Sequence, residues 1–263
     1  MGIINVTPDS FSDGGKYLSA QQALSHGKKL IDEGADILDI GGESTRPGSQ
    51  PVSVADELTR VIPVLEGLSK YNIPISVDTS KPEVMKQAIS SGAIMINDVH
   101  ALKNPGALET IAPHPDIHVC LMHMQGTPQN MQMNPQYRNI VSEVKDFLQQ
   151  RIEACIKAGI ERRRLIIDPG FGFGKTLQHN LTLLNHLEQL TTLKIPILAG
   201  LSRKSMLGAI TGNPVEQRVH ESITAALLAI IKGAKIIRVH DVKASKDALT
   251  TLTSIQNSDI NTL

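Results

Sequence analysis

Short apolar runs recur through the whole chain, and each is followed by a stretch with helical spacing. The runs are GIINV (2–6), DILDI (36–40), PISV (74–77), IMIN (94–97), IHVCLM (117–122), LIID (165–168), IPILAG (195–200) and KIIRVH (235–240). Each is too short for a buried helix and is bounded by turn residues, the pattern of a strand covered on both faces. Between them apolar residues return every third or fourth position, as in Val54, Leu58, Val61, Leu65 and Leu68, or Val144, Phe147, Ile152 and Cys155. Ser53 with Asp56, Ser19 with Gln22 and Ser80 with Glu83 read as capping boxes, and Asn104-Pro105 as a cap followed by an N1 proline. Gly34, Gly92, Gly159 and Gly233 stand where a helix must end before the next strand. Strands alternating with helices call for a parallel sheet. Eight such units in 263 residues, with no linker or low-complexity stretch, predict one (β/α)8 TIM barrel over residues 1–263, close to the usual size of about 250 residues. A doubly wound open sheet is the alternative. Residues 255–263, ending in the polar stretch NSDINTL, are expected to fray.

The residues that close these strands are polar almost without exception. They are Asn5, then Gly42 to Arg46, Asp78, Asn97-Asp98, His123, Asp168, Ser202-Arg203-Lys204, and Arg238 with His240. A barrel gathers such tips on one rim, where active sites are built. The loops after the first, second, fifth and sixth strands are long and rich in Gly and Pro, as lids are.

Composition removes several classes of function. Lys and Arg number 26, as do Asp and Glu, so there is no basic field for nucleic acid. Cys120 and Cys155 are far apart in sequence, which argues for a reducing compartment and against a cysteine metal site. No apolar run reaches the roughly 18 residues of a membrane span. The start, MGIINVTPDS, lacks a signal peptide's basic start and long apolar stretch. A cytoplasmic protein with neither a membrane nor a nucleic-acid partner is expected. Aromatic residues make up only 3% of the chain, yet Phe11, Phe171 and Phe173 fall in segments rich in Gly, Asp, Ser and Pro. Scarce aromatics placed in loops suggest a ring-stacking surface, with packing against the loop's own scaffold as the competing explanation.

The stretch IIDPGFGFGKT (166–176) ends in the letters that close a phosphate-binding P-loop. That motif needs a glycine five positions before the Gly of GKT. Pro169 stands there, and proline has no N–H to offer a phosphate. Arg238 and His240 are two apart on a strand and so share a face, a pair suited to an anion, though alone it would serve equally as a structural salt bridge. Asp78, Asn97 and Asp168 offer two carboxylates and an amide to a heterocycle with an amino-amidine edge; alternatively each Asp caps a turn. Lys204 could form a Schiff base, but Arg203 and Ser205 beside it make a polar, anion-handling turn. His123 reads as a packed rim histidine, and Asp36 and Asp39 as structural.

Taken together, MGIINVTPDSFSDGG, GGESTRPG, SVDTSKPEV, INDV, CLMHMQGTP, DPGFGFGK, LSRKSM and IIRVHDV run in order from residue 1 to about residue 243. They are similar to the motifs of the dihydropteroate synthase family. The resemblance implies a transferase of folate biosynthesis that joins 6-hydroxymethyl-7,8-dihydropterin diphosphate to p-aminobenzoate and releases pyrophosphate. It implies Mg2+ held by Asn5, and a diphosphate held by Thr45, Arg238 and His240. It lines the pterin pocket with Asp78, Asn97, Asp168 and Lys204. It gives the benzoate ring to Phe11, Arg46, Pro47, Phe173, Lys204 and Ser205, with the loops 7–19 and 43–52 closing over it. Asp78, Lys204, Arg238 and His240 would carry the catalysis. Sulfonamides would compete with p-aminobenzoate, and the protein would be a homodimer. Family members carry residues ahead of the first strand that form a hairpin under the barrel, whereas residue 1 here is already that strand's Met. Either the sequence begins late or the floor of the barrel is less covered. Barrel methyltransferases that use methyltetrahydrofolate share the pterin pattern but handle no diphosphate. A protein that binds pterin without turnover is the reading from a different class.

Overall fold

The computed structural model describes residues 1–7 and 16–258, the side chains of residues 16–19 excepted. Its strands are β1 (Gly2–Asn5), β2 (Leu38–Gly41), β3 (Ile75–Asp78), β4 (Met95–Asp98), β5 (His118–Met122), β6 (Leu165–Asp168), β7 (Ile197–Ala199) and β8 (Ala234–Ile237). They form one parallel sheet in sequential order. The sheet closes on itself: Gly2 bridges Val239, the Ile3 N–H donates to the Val239 carbonyl at 3.1 Å, and the Val239 N–H donates to the Met1 carbonyl at 2.9 Å. This is the expected (β/α)8 barrel. The helices are α1 (Lys16–Asp32), α2 (Val54–Ser69), α3 (Pro82–Ser90), α4 (Ala107–Ile111), α5 (Ile140–Lys157), α6 (Leu177–Asn185), α7 (Ser205–Thr211), α8 (Val219–Ile231) and α9 (Val242–Gln256). Among the described residues, no helix is long and apolar enough to cross a membrane.

The strands face two different cores. Their outward residues, such as Ile4, Leu38, Val77, Ile96, Leu121 and Ile167, join the buried sides of the helices in one large apolar cluster. Their inward residues make a separate, small plug of Met1, Met95, Cys120, Ile166 and Leu198, with Ile37 and Ile236 against it. Two residues further along a strand the side chain faces inward again, and on four of the strands the character changes there, whereas Ile3 and Met122 stay apolar. Ile37 gives way to Asp39, Met95 to Asn97, Ile166 to Asp168, and Ile236 to Arg238. The barrel is sealed by apolar packing at its base and is largely polar above it.

Several local expectations are corrected. β2 lies two residues later at its start than DILDI suggested, because Asp36 is exposed and paired with Lys246 at 2.6 Å rather than laddered. Regular β8 ends at Ile237, and only Val239 beyond it bridges β1. Ser53 does cap α2, accepting from the Asp56 N–H at 3.1 Å. Ser80 caps nothing: its hydroxyl donates to Asp98 at 2.5 Å, and Lys81 is the residue before α3. Asn104 donates to the Ser80 carbonyl at 2.7 Å, and α4 starts after Gly106, so Pro105 is not its first residue. α1 begins at Lys16, which puts Ser19 inside it. α9 runs to Gln256, into the stretch expected to fray, while residues 259–263 lie outside those described. Gly34, Gly92, Gly159 and Gly233 all take positive φ at the helix ends, as expected.

Candidate active site

The polar layer opens into a cleft at the C-terminal ends of the strands, lined by Thr45, Asp78, Asn97, Asp168, Phe173, Lys204, Arg238 and His240 among others. Six elements or their loops supply these side chains, so only barrel closure brings them together. Arg238 sits at the centre. Its Nε donates to Asp39 at 2.6 Å and its terminal nitrogen to Asp78 at 3.0 Å. Asp39 is fully buried and also accepts from Asn97 Nδ2 at 3.2 Å. Asp39 therefore braces two site residues from below without lining the cleft. Burial pushes the Asp78 carboxyl up, to about 7, although the Arg238 charge pulls the other way.

Asp168 is held by the loop that follows it. The Gly170 N–H donates to its Oδ1 at 2.7 Å, and Oδ2 lies along Gly200, whose missing side chain keeps the space between Asp168 and Arg238 open. Burial raises the Asp168 carboxyl, against the Lys204 charge first and the Gly170 N–H second. Lys204 lies one residue before α7. Its ammonium donates to the Phe171 carbonyl and stands 4.3 Å from the centre of the Phe173 ring. Burial lowers its pKa to about 8, with Asp168 opposing. An amine donating to a carbonyl, beside a carboxylate and under an aromatic face, is equipped to bind a polar ring rather than to attack a carbonyl.

The anion-handling side is set by Ser202. Its Oγ accepts from the His240 backbone N–H at 3.1 Å and lies 3.0 Å from His240 Nδ1. These two contacts fix the orientation of the His240 ring at the cleft. Burial, then the Arg238 and Arg203 charges, lower His240 to about 4, so the ring is neutral near pH 7. Arg203 grips Asp241 with two hydrogen bonds of 3.0 and 2.6 Å and takes a left-handed backbone at φ 58°. That pair ties the turn carrying Lys204 to the segment carrying His240.

The remaining expected residues sit further out. Asn5 is half-buried at the end of β1 and lines an adjoining cleft with His240 and Arg203. Arg46 and Pro47 are exposed on the loop after β2, and Ser205 is exposed at the start of α7. The β2 loop is bonded to its neighbour: the Gly48 N–H donates to the Pro128 carbonyl at 3.0 Å, and Gln129 donates to the Ser49 carbonyl at 3.3 Å. At its base, Lys81 bridges Glu43 and the buried Glu57. Phe11 and most of the loop 7–19 lie outside the described residues. Asp98 turns away, accepting from Ser80, His100 and Leu102. His123 is buried edge-on to Phe147 and bonded to Lys175, away from the cleft.

Among the described residues no three His, Cys, Asp or Glu side chains cluster as a metal site. A single amide oxygen from Asn5 does fit Mg2+, which keeps several waters and takes its remaining ligands from substrate phosphates.

Two residues have a part in the site beyond the one expected of them: Asp39, expected to be structural, holds Arg238 and Asn97, and Lys175, the lysine of the failed P-loop match, holds the loop after β6. An acidic residue on the inward register of a strand, two before the rim, is the signal for the first. For the second it is a lysine directly after alternating glycines whose carbonyls need a donor.

A family model described as pterin binding enzyme matches residues 1–240. The dihydropteroate synthase of Neisseria meningitidis serogroup C is 54% identical over 253 residues, covering 95% of this chain and 89% of that protein. The structure of the Xanthomonas albilineans dihydropteroate synthase with 4-aminobenzoic acid superposes with a TM-score of 0.93 at 53% identity, covering 98% of this chain and 93% of that one. The same organism's enzyme in complex with 7,8-dihydropteroate gives a TM-score of 0.89 at 50% identity, covering 98% and 94%.

Proposed function

The chain belongs to the pterin-binding enzyme family and, within it, to the dihydropteroate synthases; from that premise we propose that its cleft joins a 6-hydroxymethyl-7,8-dihydropterin diphosphate to p-aminobenzoate, giving 7,8-dihydropteroate and pyrophosphate. The observation that carries this reading is one cleft lined together by Asp78, Asn97, Asp168, Arg238, His240, Phe173 and Lys204. A flat donor-rich heterocycle, an anion and an aryl ring each find their complement there.

Asp168 and Asn97 face the amino-amidine edge of the pterin, carboxylate accepting and amide doing both. Arg238 and the His240 ring take the diphosphate, with Thr45 adding a hydroxyl. Mg2+ carried on that diphosphate, with Asn5 as its protein ligand, would add charge neutralisation. The C–O bond breaks first, its electron pair leaving with the diphosphate, and the pterin ring spreads the positive charge. Asp78 opposes that charge across the cleft. The arylamine is neutral near pH 7 and needs position more than a base. Phe173 and Lys204 supply it, and once the C–N bond has formed the anilinium proton passes to water or to the released pyrophosphate. Sulfonamides, which share the para-substituted aniline, would compete for this place.

The free, buried cysteines Cys120 and Cys155 suit a reducing cytoplasm. Leu228 and Ile231, three apart on α8, are exposed at 43% and 58%, and offer a second copy of the chain an apolar face. Sedimentation of an Ile231→Glu variant as a monomer, against a dimeric parent, would support that assembly.

The deciding experiment mixes the protein with the dihydropterin diphosphate, p-aminobenzoate and Mg2+ and follows pyrophosphate and dihydropteroate together. Pyrophosphate without dihydropteroate, or neither product, would overturn the assignment. A folded Asp168→Ala variant should lose pterin affinity by roughly 1–3 kcal/mol for each ligand group left unpaired.

A further inference from the structure

Lys175 has no part in the mechanism above and does not line the cleft, yet it is one of the most buried cations of the chain, at 3% exposure. It follows a loop built on alternating left-handed glycines, Gly170 at φ 68°, Gly172 at 79° and Gly174 at 60°. They let two of the loop's carbonyls, those of Gly170 and Phe173, turn toward Lys175, while the Phe171, Gly172 and Gly174 carbonyls accept from Lys204, Gln132 and Tyr137. The Lys175 amine donates to the Gly170 carbonyl at 2.8 Å and to the Phe173 carbonyl at 3.0 Å, and lies 2.9 Å from His123 Nδ1 at the end of β5. The same loop is pressed against the β5 end: a Cβ on Gly170 would overlap the His123 carbonyl, and one on Gly174 the Gln125 carbonyl. Tyr137 adds a hydrogen bond of 2.8 Å to the Gly174 carbonyl.

Phe173 is thus fixed from behind. Its backbone is held by Lys175, while its ring faces the cleft under Lys204, which holds the Phe171 carbonyl from the other side. We infer that Lys175, with His123, is a positioning residue that sets the Phe173 ring for the arylamine substrate. This inference rests on the proposed reading of the cleft.

The latch does not depend on the amine's charge. As an ammonium it has a third N–H for Nδ1. As a neutral amine it keeps two N–H groups for the two carbonyls and accepts the Nδ1 proton instead. Burial, and then the Lys175 charge, lower the imidazole to about 2, so His123 stays neutral and available as the partner.

The test separates the two substrates. Lys175→Met removes every donor with little change in volume. Titrations by calorimetry would follow p-aminobenzoate binding in the presence of pyrophosphate and Mg2+, and pterin diphosphate binding separately. Steady-state KM values would be measured for both. A misplaced ring should raise KM and Kd for p-aminobenzoate by at least about tenfold, while pterin diphosphate binding stays within about twofold. If Lys175→Met does not fold, His123→Leu, which deletes the imidazole contact and keeps an apolar neighbour for Phe147, decides the question by the same ratio with a smaller shift. Parallel weakening of both substrates in a folded variant would make the contact a general stabiliser and overturn the inference, as would unchanged p-aminobenzoate binding. Wild-type protein that binds no p-aminobenzoate would overturn the reading of the cleft itself, whatever the variants do.

Discussion

Arg238 on the last barrel strand grips Asp39 on the second through Nε at 2.6 Å and Asp78 on the third through its terminal nitrogen at 3.0 Å. One cation therefore fixes a carboxylate sealed inside the barrel and another that faces the cleft. The two carboxylates have different work. Asp39 is wholly out of reach of solvent, so its worth lies in holding Arg238 and Asn97 in place. Removing one partner of a buried pair strands the other charge and costs about 3–5 kcal/mol. Asp39→Ala should be destabilised by that amount in urea titration, and its pterin affinity should fall as well. A loss of under about 1 kcal/mol would mean that Asp78 alone suffices to hold Arg238.

Asp78→Asn should behave in the opposite way. The amide keeps the shape and still accepts from Arg238, so stability and ground-state pterin affinity should change little. The charge opposite a developing cation is gone, and turnover should drop by about 10²–10³-fold. With bond cleavage limiting, a ring-fluorinated p-aminobenzoate should turn over at nearly the parent rate when saturating. A steep dependence on amine basicity would point to concerted displacement instead.

How much of this was visible beforehand follows from what kind of fact each residue expresses. Alternating apolar runs and helical spacing are local, and they were enough for the barrel and for the rim residues Asp78, Asn97, Asp168, Lys204, Arg238 and His240, which all line one cleft. The Asp39–Arg238 contact joins residues 199 positions apart. It exists only because the sheet closes β8 onto β1 and β2, and no local pattern encodes that register. Ser80 and Asn104 misled for the same reason. Their sequence context is that of helix caps, but Asp98 at the end of β4 and the Ser80 carbonyl in the loop after β3 are better placed partners. Lys175 shows the converse, since its letters advertise phosphate while the Gly170 and Phe173 carbonyls and His123 occupy its amine.

The pH profile of kcat/KM for the dihydropterin diphosphate should be bell-shaped, since this ratio reports groups of the free enzyme. Asp78, raised by burial to about 7, must be ionised, so activity rises as pH increases through that value. Lys204, lowered by burial to about 8, must be protonated to face the ring and the anion, so activity falls above it. His240, lowered to about 4, titrates outside this window and leaves the profile alone. Asp78→Asn should flatten the acid limb and keep the alkaline one. An acid limb that survives in that variant belongs to another group, and the assignment to Asp78 fails.

Two glycine substitutions separate backbone strain from loop docking. Gly159, just past α5 and far from the cleft, has φ 89° and open space where a Cβ would go. Gly159→Ala should cost only the left-handed penalty of about 1–2 kcal/mol, with both substrates bound as before. Gly170 has a similar φ of 68°, but its Cβ would overlap the carbonyl of His123. Gly170→Ala must push the loop off the end of β5. That shifts the N–H that holds Asp168 and the carbonyl held by Lys175 in a single step. Thermal unfolding should show a clearly larger loss than in Gly159→Ala, and affinity for pterin and p-aminobenzoate should fall together, because both ends of the cleft hang on this one residue. Equal losses in the two variants, with substrate binding intact in both, would mean that the loop yields without carrying Asp168 and Phe173 along.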